Sequence, residues 1–155
     1  MSVIRLSDRI FGVVVLMSSL LSTGSVLAQE PIIVKCTPAA GSHHAAASEI
    51  DKTFKIDYAS QSWWSWDAAG GVWRQQACNR QYGSGSDVTA WTCDFDPTRF
   101  RYNRREGAFV EYELVIDRTN GTISYRGSNH RDGSSYTGAG TCSRTAEPTP
   151  PATIF

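Results

Sequence analysis

Residues 109–126 decide the fold, and they read FVEYELVIDRTNGTISYR. Four apolar side chains of this run share one parity: Val110, Tyr112, Leu114 and Ile116. Side chains alternate between the faces of a β-strand, so the run predicts a strand with one apolar face and one solvated face. Residues 117–121 then supply turn chemistry, because Asn-Gly tolerates positive φ and an aspartate carboxylate accepts the N–H groups of a turn. The stretch therefore predicts a β-hairpin.

Two registers of this hairpin satisfy the pattern. If residues 118–121 form the loop, Ile116 lies opposite Ile123. A two-residue loop at positions 120 and 121 places Ile116 opposite Tyr125 instead. Both registers keep apolar side chains on one face, so the sequence leaves the choice open.

Short runs of the same kind, separated by turn residues and without helical periodicity, fill residues 52–144. This pattern is typical of an all-β domain of seven or eight antiparallel strands, in a meander, a curled sheet or a small barrel. Further strands are expected at residues 53–58, 63–66, 72–79, 88–95, 100–102 and 136–142.

The start of the chain has the layout of a secretory signal peptide. Arg5 and Arg9 precede an apolar run at residues 10–21, and Val-Leu-Ala at residues 26–28 suits cleavage by signal peptidase. Residues 1–28 are therefore expected to be removed from an exported protein, periplasmic or secreted. No later segment is apolar enough to predict a membrane span.

Two further segments are expected to lie outside the β domain. Residues 29–51 are rich in small side chains and lack an amphipathic stripe, which predicts a flexible arm with one short edge strand at residues 32–34. Residues 145–155 contain Glu-Pro-Thr-Pro-Pro and predict a disordered tail.

The chain contains four cysteines, an even number that in an exported protein indicates two disulfides. Geometry favours one of the three possible connectivities. A turn at residues 85 and 86 lies midway between Cys78 and Cys93 and would bring them opposite each other. Cys36 and Cys142 would then tie the N-terminal arm to the last strand.

Charge and motifs exclude several classes of function. The chain has 15 basic and 15 acidic residues, and losing residues 1–28 leaves 13 and 14, a charge of about −1. This balance gives no argument for a nucleic acid as partner. We find no phosphate-binding loop, cofactor motif or metal-ligand cluster in the sequence, and we interpret the adjacent His43 and His44 as solvated residues.

Five tryptophans lie within about thirty residues, at positions 63, 64, 66, 73 and 91. Flat aromatic faces can stack on sugar rings, but a small domain can also build its core from tryptophan. Neighbours in a strand point to opposite faces, so Trp63 and Trp64 cannot both be core in a sheet covered on one side. Residues 99–105 combine arginines with aromatic side chains, a composition that suits binding of an anionic polymer. The predicted ligand-binding residues are Trp63, Trp64, Trp66, Arg101 and Tyr102.

Glu111 and Glu113 share the polar face of the central strand, with Cα atoms expected about 6.5 to 7 Å apart. Glycosidases use carboxyl pairs near that separation, but usually from different strands and with one acid buried. A solvated strand face is the simpler interpretation.

The run Ile-Asp-Arg-Thr-Asn-Gly at residues 116–121, followed by Gly-Thr-Cys at residues 140–142, resembles small exported proteins of proteobacteria that have no assigned function. The similarity covers residues 52–142 and implies one secreted antiparallel β domain. It implies no catalytic residues.

The sequence therefore predicts an exported binding module without enzymatic activity, for an envelope glycan or a small ligand. One alternative is an inhibitor or adaptor that binds another exported protein through an exposed strand edge. A glycan hydrolase that uses Glu111 or Glu113 is the third.

Overall fold

The computed structural model describes residues 30–150, so the predicted signal peptide lies outside the described residues. These residues contain ten strands and a seven-residue helix, and no helix among them is long and apolar enough to cross a bilayer. The elements are β1 Ile32–Pro38, α1 His44–Ile50, β2 Thr53–Asp57, β3 Ser62–Asp67, β4 Val72–Gln75, β5 Arg80–Tyr82, β6 Thr89–Asp96, β7 Arg99–Glu106, β8 Val110–Asp117, β9 Thr122–Asn129 and β10 Ser134–Arg144.

All ten strands form one antiparallel sheet, in the order β4-β3-β2-β1-β10-β9-β8-β7-β6-β5. The predicted all-β class is confirmed, and the sheet is curled into a half-barrel. The strands number ten rather than seven or eight because β1 joins the sheet and because β5 is an additional strand; the strand predicted at residues 72–79 ends at Gln75.

The central hairpin adopts the first of the two registers. Ile116 pairs with Ile123 across β8 and β9. The Asp117 carboxylate accepts the backbone N–H of Thr119 at 2.8 Å and that of Asn120 at 3.4 Å. These bonds close the loop over residues 118–121, where the turn ends at a glycine with positive φ.

The core lies on the inner, concave face of the curled sheet. The Trp63 ring on β3 lies 5.1 Å from the ring of Phe100 on β7, between centroids, although five strands separate β3 from β7 in the sheet. Only a curled sheet brings these strands together. The buried core residues are Ile32, Val34, Cys36, Ala46, Ile50, Phe54, Ile56, Trp63, Phe100, Leu114, Ile116, Ile123 and Tyr125.

The prediction of a flexible arm at residues 29–51 is wrong. β1 lies in the middle of the sheet between β2 and β10, not at an edge. Helix α1 packs Ala46 and Ile50 onto β10, at a position where an added Cβ on Gly138 would lie 2.8 Å from the Ala46 Cβ. Glycine in β10 therefore leaves the space that the helix fills.

Both predicted disulfides are confirmed. Cys36 and Cys142 face each other across β1 and β10, and the second bond joins Cys78 to Cys93. Each bond therefore holds a different part of the sheet, one the centre and one an edge.

Residues 76–79 connect the two edges of the sheet. Four residues carry the chain from β4, at one edge, to β5, at the other. The backbone N–H of Gln76 donates to the carbonyl of Trp63 at 3.0 Å, and the side-chain oxygen of Asn79 accepts the N–H of Cys93 at 3.3 Å. The linker and the Cys78–Cys93 bond together bridge the open side of the half-barrel.

The described part of the tail, residues 145–150, forms no helix or strand. Thr145 donates its backbone N–H to the carbonyl of Ile33 at 3.0 Å, so the tail begins along β1. The remaining residues, 151–155, lie outside the described part of the chain.

Candidate functional site

The five predicted ligand-binding residues do not form one site. Trp63 is 4% exposed and belongs to the core, whereas Trp64 and Trp66 have the opposite strand parity and lie on the outer face. Tyr102 is on the inner face, with its ring centroid 4.7 Å from that of Trp63. Arg101 lies on the outer face of β7, with five strands between β7 and β3 in the sheet. Two separate candidate sites result, one outside and one inside.

The outer site is an aromatic patch formed by Lys55, Trp64, Trp66 and Trp73, on strands β2, β3 and β4. Lys55 pairs with Trp64, and Trp66 pairs with Trp73. The Trp66 and Trp73 rings meet edge to face at 5.3 Å, and the Lys55 ammonium lies 6.0 Å from the Trp64 ring and 5.7 Å from the Trp73 ring. The patch combines three partly exposed indoles with one cation.

The tail places a carboxylate on this aromatic patch. Trp73 donates its Nε1–H to Glu147 Oε1 at 2.5 Å, and Lys55 Nζ lies 3.6 Å from the same oxygen. An indole N–H and an ammonium thus converge on one anionic oxygen. Trp73 was not among the predicted ligand-binding residues, although it is one of the five clustered tryptophans.

The inner site is a cavity of about 290 Å³ between α1 and the concave face of the sheet. Three tyrosines on β8, β9 and β10 form a continuous stack: the rings of Tyr112 and Tyr125 lie 6.4 Å apart, and those of Tyr125 and Tyr136 lie 6.2 Å apart. The stack continues to His43 before α1, whose ring is 5.3 Å from Tyr136 and whose Nδ1 accepts the Ala45 N–H. His43 thus caps the helix, which no sequence pattern predicted.

The tyrosine stack depends on a glycine opposite it. Tyr136 pairs with Gly127, and an added Cβ at Gly127 would lie 2.4 Å from the Tyr136 ring. An aromatic ring that packs against a cross-strand glycine covers backbone that would otherwise be exposed. Gly127 thereby sets the position of one wall of the inner cavity.

The inner cavity has polar groups of two kinds. Within the described residues, the buried Nε1 of Trp63 has no hydrogen-bond partner. The charged residues of the lining are each paired: Lys52 Nζ lies 2.5 Å from Glu49 Oε2, and Arg104 forms an ion pair with Glu106. Each charged side chain of the lining therefore has a partner of opposite charge.

Burial controls the ionisation of the cavity tyrosines. It raises the pKa of Tyr102 to about 12, and it raises the pKa values of Tyr112 and Tyr125 above their usual range. All three side chains therefore stay neutral hydroxyls, able to donate and to accept, well above physiological pH.

The same burial predicts a loss of stability in alkali. The pKa of Tyr102 is higher in the folded protein than in the unfolded chain. The stabilisation that the folded state gains from the neutral hydroxyl is therefore complete below about pH 10, and it disappears as the pH rises towards 12. Because the Tyr102 ring is partly exposed and solvent screens it, we expect it to account for about 1 to 2 kcal/mol of lost unfolding free energy over this interval, less than the full shift implies. Urea unfolding at a series of pH values measures this loss of free energy, and tyrosinate absorbance reports the ionisation of the tyrosines. A Tyr102→Phe variant with the same pH slope as the wild type would contradict this assignment.

The acidic pair of β8 lies on the outer face, in a shallow groove of about 560 Å³. The Glu113 carboxylate is 3.4 Å from Arg101 Nε, and the Glu111 carboxylate is 3.5 Å from His130 Nε2. The two glutamate side chains are 40% and 55% exposed, respectively. Such contacts are typical of a solvated charged face.

Comparisons with known proteins give no match to this chain, among family models, curated proteins or solved structures.

Proposed function

We propose that this protein is an exported, non-enzymatic binding module that holds an envelope glycan on its outer aromatic patch. The carboxylate of Glu147 carries the proposal, because the patch already binds an acidic oxygen through Trp73 Nε1 and Lys55. Indole faces accept the C–H groups of a sugar ring, while an N–H donor and an ammonium hold a hydroxyl or carboxylate. Both requirements for sugar recognition are thus present on one surface.

The patch overlaps only in part with the predicted ligand set. It keeps Trp64 and Trp66, it replaces the buried Trp63 by Trp73, and it leaves out Arg101 and Tyr102, which lie elsewhere. Two disulfides agree with an oxidising, exported environment, and the glycans of the cell envelope are the polymers that such a protein meets.

Strand addition to another protein has less support. The two edge strands of the sheet, β4 and β5, contain four and three residues. Such short edges expose few unpaired backbone groups, so they are poor templates for a partner strand. The outer aromatic patch is the better candidate.

The glycan proposal can be tested by affinity electrophoresis of the oxidised, exported protein through gels that contain soluble peptidoglycan fragments, alginate or dextran. We expect retardation in at least one gel, and we expect Trp64→Ala or Trp73→Ala to weaken binding about tenfold or more, equivalent to about 1.4 kcal/mol. Glu147→Ala should strengthen binding of an acidic glycan, because it frees Trp73 Nε1 and Lys55.

Trp91→Ala is the matched control, since Trp91 is a partly buried tryptophan on β6, away from the patch. It should bind like the wild type. Equal losses in the Trp64 and Trp91 variants, or migration unaffected by every glycan, would exclude the outer aromatic patch as a glycan site.

A further inference from the structure

We infer that the inner cavity is a second binding site, whose ligand is a single uncharged sugar ring rather than a polymer. The cavity lies on the concave face of the sheet and the outer aromatic patch lies on the opposite face, so this inference does not rest on the glycan proposal. Its support comes from the accessible aromatic surface of the cavity, from polar groups that combine donors with acceptors, and from charges that are already paired.

The tyrosines of the cavity offer accessible aromatic surface. Tyr102, Tyr112 and Tyr136 line the cavity and are partly exposed, whereas Trp63 belongs to the buried core. An exposed aromatic surface packs against the C–H groups of a sugar, and a phenol hydroxyl can bind one of the sugar hydroxyls. The cavity volume, about 290 Å³, is at the lower end of the range of small-molecule sites, so it suits one ring and not a chain.

The polar groups of the cavity retain both acceptors and donors. Gln76 uses its amide hydrogens on Ser65 Oγ at 2.9 Å and on the Arg74 carbonyl at 3.1 Å, which leaves its side-chain oxygen as an acceptor. Ser65 Oγ accepts one of these bonds and keeps its own hydrogen to donate. On α1, Ser48 Oγ donates to the Ala45 carbonyl at 2.9 Å and keeps its lone pairs. A sugar hydroxyl both donates and accepts, so it matches this mixed lining.

The charged residues of the lining favour an uncharged ligand. Lys52 is paired with Glu49, and Arg104 is paired with Glu106. A charged ligand would have to separate one of these pairs or enter without a counter-charge, and either costs free energy. The side chains of Glu49 and Arg104 are each 44% exposed, so sugar hydroxyls can form charge-assisted hydrogen bonds with them while the ion pairs persist.

Saturation-transfer-difference NMR tests this inference, because it detects the weak binding expected of one sugar ring. The probes are the methyl glycosides of glucose, galactose, mannose and N-acetylglucosamine. Each is tested beside a charged counterpart, which is the uronate or, for N-acetylglucosamine, the free amine. We expect saturable transfer to at least one neutral glycoside and binding at least about tenfold weaker for its charged counterpart. Absence of transfer to all four, or equal affinity for the charged counterpart, would overturn the inference.

Two variants locate the sugar. Ala45 lines the cavity from α1 and is partly buried, so Ala45→Phe places a ring in the cavity and should abolish the transfer. Ser65→Ala removes only the hydroxyl that has a hydrogen to donate, and should weaken binding about fivefold to tenfold, the effect of one lost hydrogen bond.

Ser62→Ala is the matched control, because it removes a hydroxyl from the same strand on the outer face. It should leave the affinity unchanged, as should Trp64→Ala in the outer aromatic patch. Near-ultraviolet circular dichroism and thermal unfolding identify variants that have lost the fold. Unchanged binding in folded Ala45→Phe and Ser65→Ala variants would overturn the inference. So would a loss in Trp64→Ala equal to that in Ala45→Phe, which would assign the sugar to the outer aromatic patch.

Discussion

Replacing Trp63 by alanine should lower the free energy of unfolding by about 3 to 5 kcal/mol, the usual cost of deleting a large core aromatic. The Trp63 ring lies within 6.0 Å of Phe54, 5.1 Å of Phe100 and 4.7 Å of Tyr102, between centroids. It therefore joins β2 and β3 to β7 across the inside of the half-barrel. Urea unfolding, followed by far-ultraviolet circular dichroism, measures the loss.

The adjacent residue provides the comparison. Trp64→Ala removes an indole of the same size from the outer face, where the Lys55 ammonium lies 6.0 Å from the centre of the ring. Such a contact contributes about 0.5 to 1 kcal/mol at an exposed site, so this variant should lose about 1 kcal/mol or less. Similar losses in the two variants would mean that strand parity does not separate core from surface in β3.

The second large effect concerns the central disulfide. Replacing Cys36 and Cys142 together by alanine should cost about 4 to 5 kcal/mol, because the bond closes a loop with a sequence separation of 106 residues. Removing Cys78 and Cys93 should cost about 3 kcal/mol, because that loop has a separation of only 15. The difference reflects the conformational entropy that each bond removes from the unfolded chain.

Calorimetric unfolding of the two double variants, side by side with the oxidised wild type, checks this order. A larger loss for the Cys78–Cys93 pair would contradict the chain-entropy argument. It would mean that bridging the open side of the half-barrel contributes more than restraining the unfolded state.

Local patterns in the sequence were sufficient for the hairpins. The alternation in residues 110–116 and the aspartate at the head of the turn predict β8 and β9, because both signals act within a few residues. The Cys78–Cys93 bond followed from the same local geometry, since a turn near residue 85 brings these two cysteines together, and the Cys36–Cys142 bond followed by elimination.

Features that depend on distant residues could not be predicted in this way. β1 belongs in the sheet because it pairs with β10, whose residues lie about a hundred positions later. Helix α1 is seven residues long and contributes only Ala46 and Ile50 to the core, so it shows no amphipathic stripe. Its stability comes from the groove above Gly138, which is a tertiary feature.

The candidate sites show the same limit. Strand parity correctly separates Trp63 from Trp64, but it does not say which of them is inside. The curl of the sheet decides, because it brings β3 opposite β7 and encloses Trp63 between Phe54 and Phe100. The tyrosine wall of the inner cavity likewise draws on three strands and becomes visible only after folding.

The connection through residues 76–79 has a consequence for the order of folding. Strands near the middle of the chain form the edges of the sheet, while β1 and β10 must find each other across more than a hundred residues. Such non-local pairing slows folding. A circular permutant opened between Gln76 and Ala77, with β10 joined to β1 by a short loop, would run from β5 to β4 as an uninterrupted meander. Every strand would then pair with its immediate successor, so the same sheet would form at a much lower contact order and fold faster.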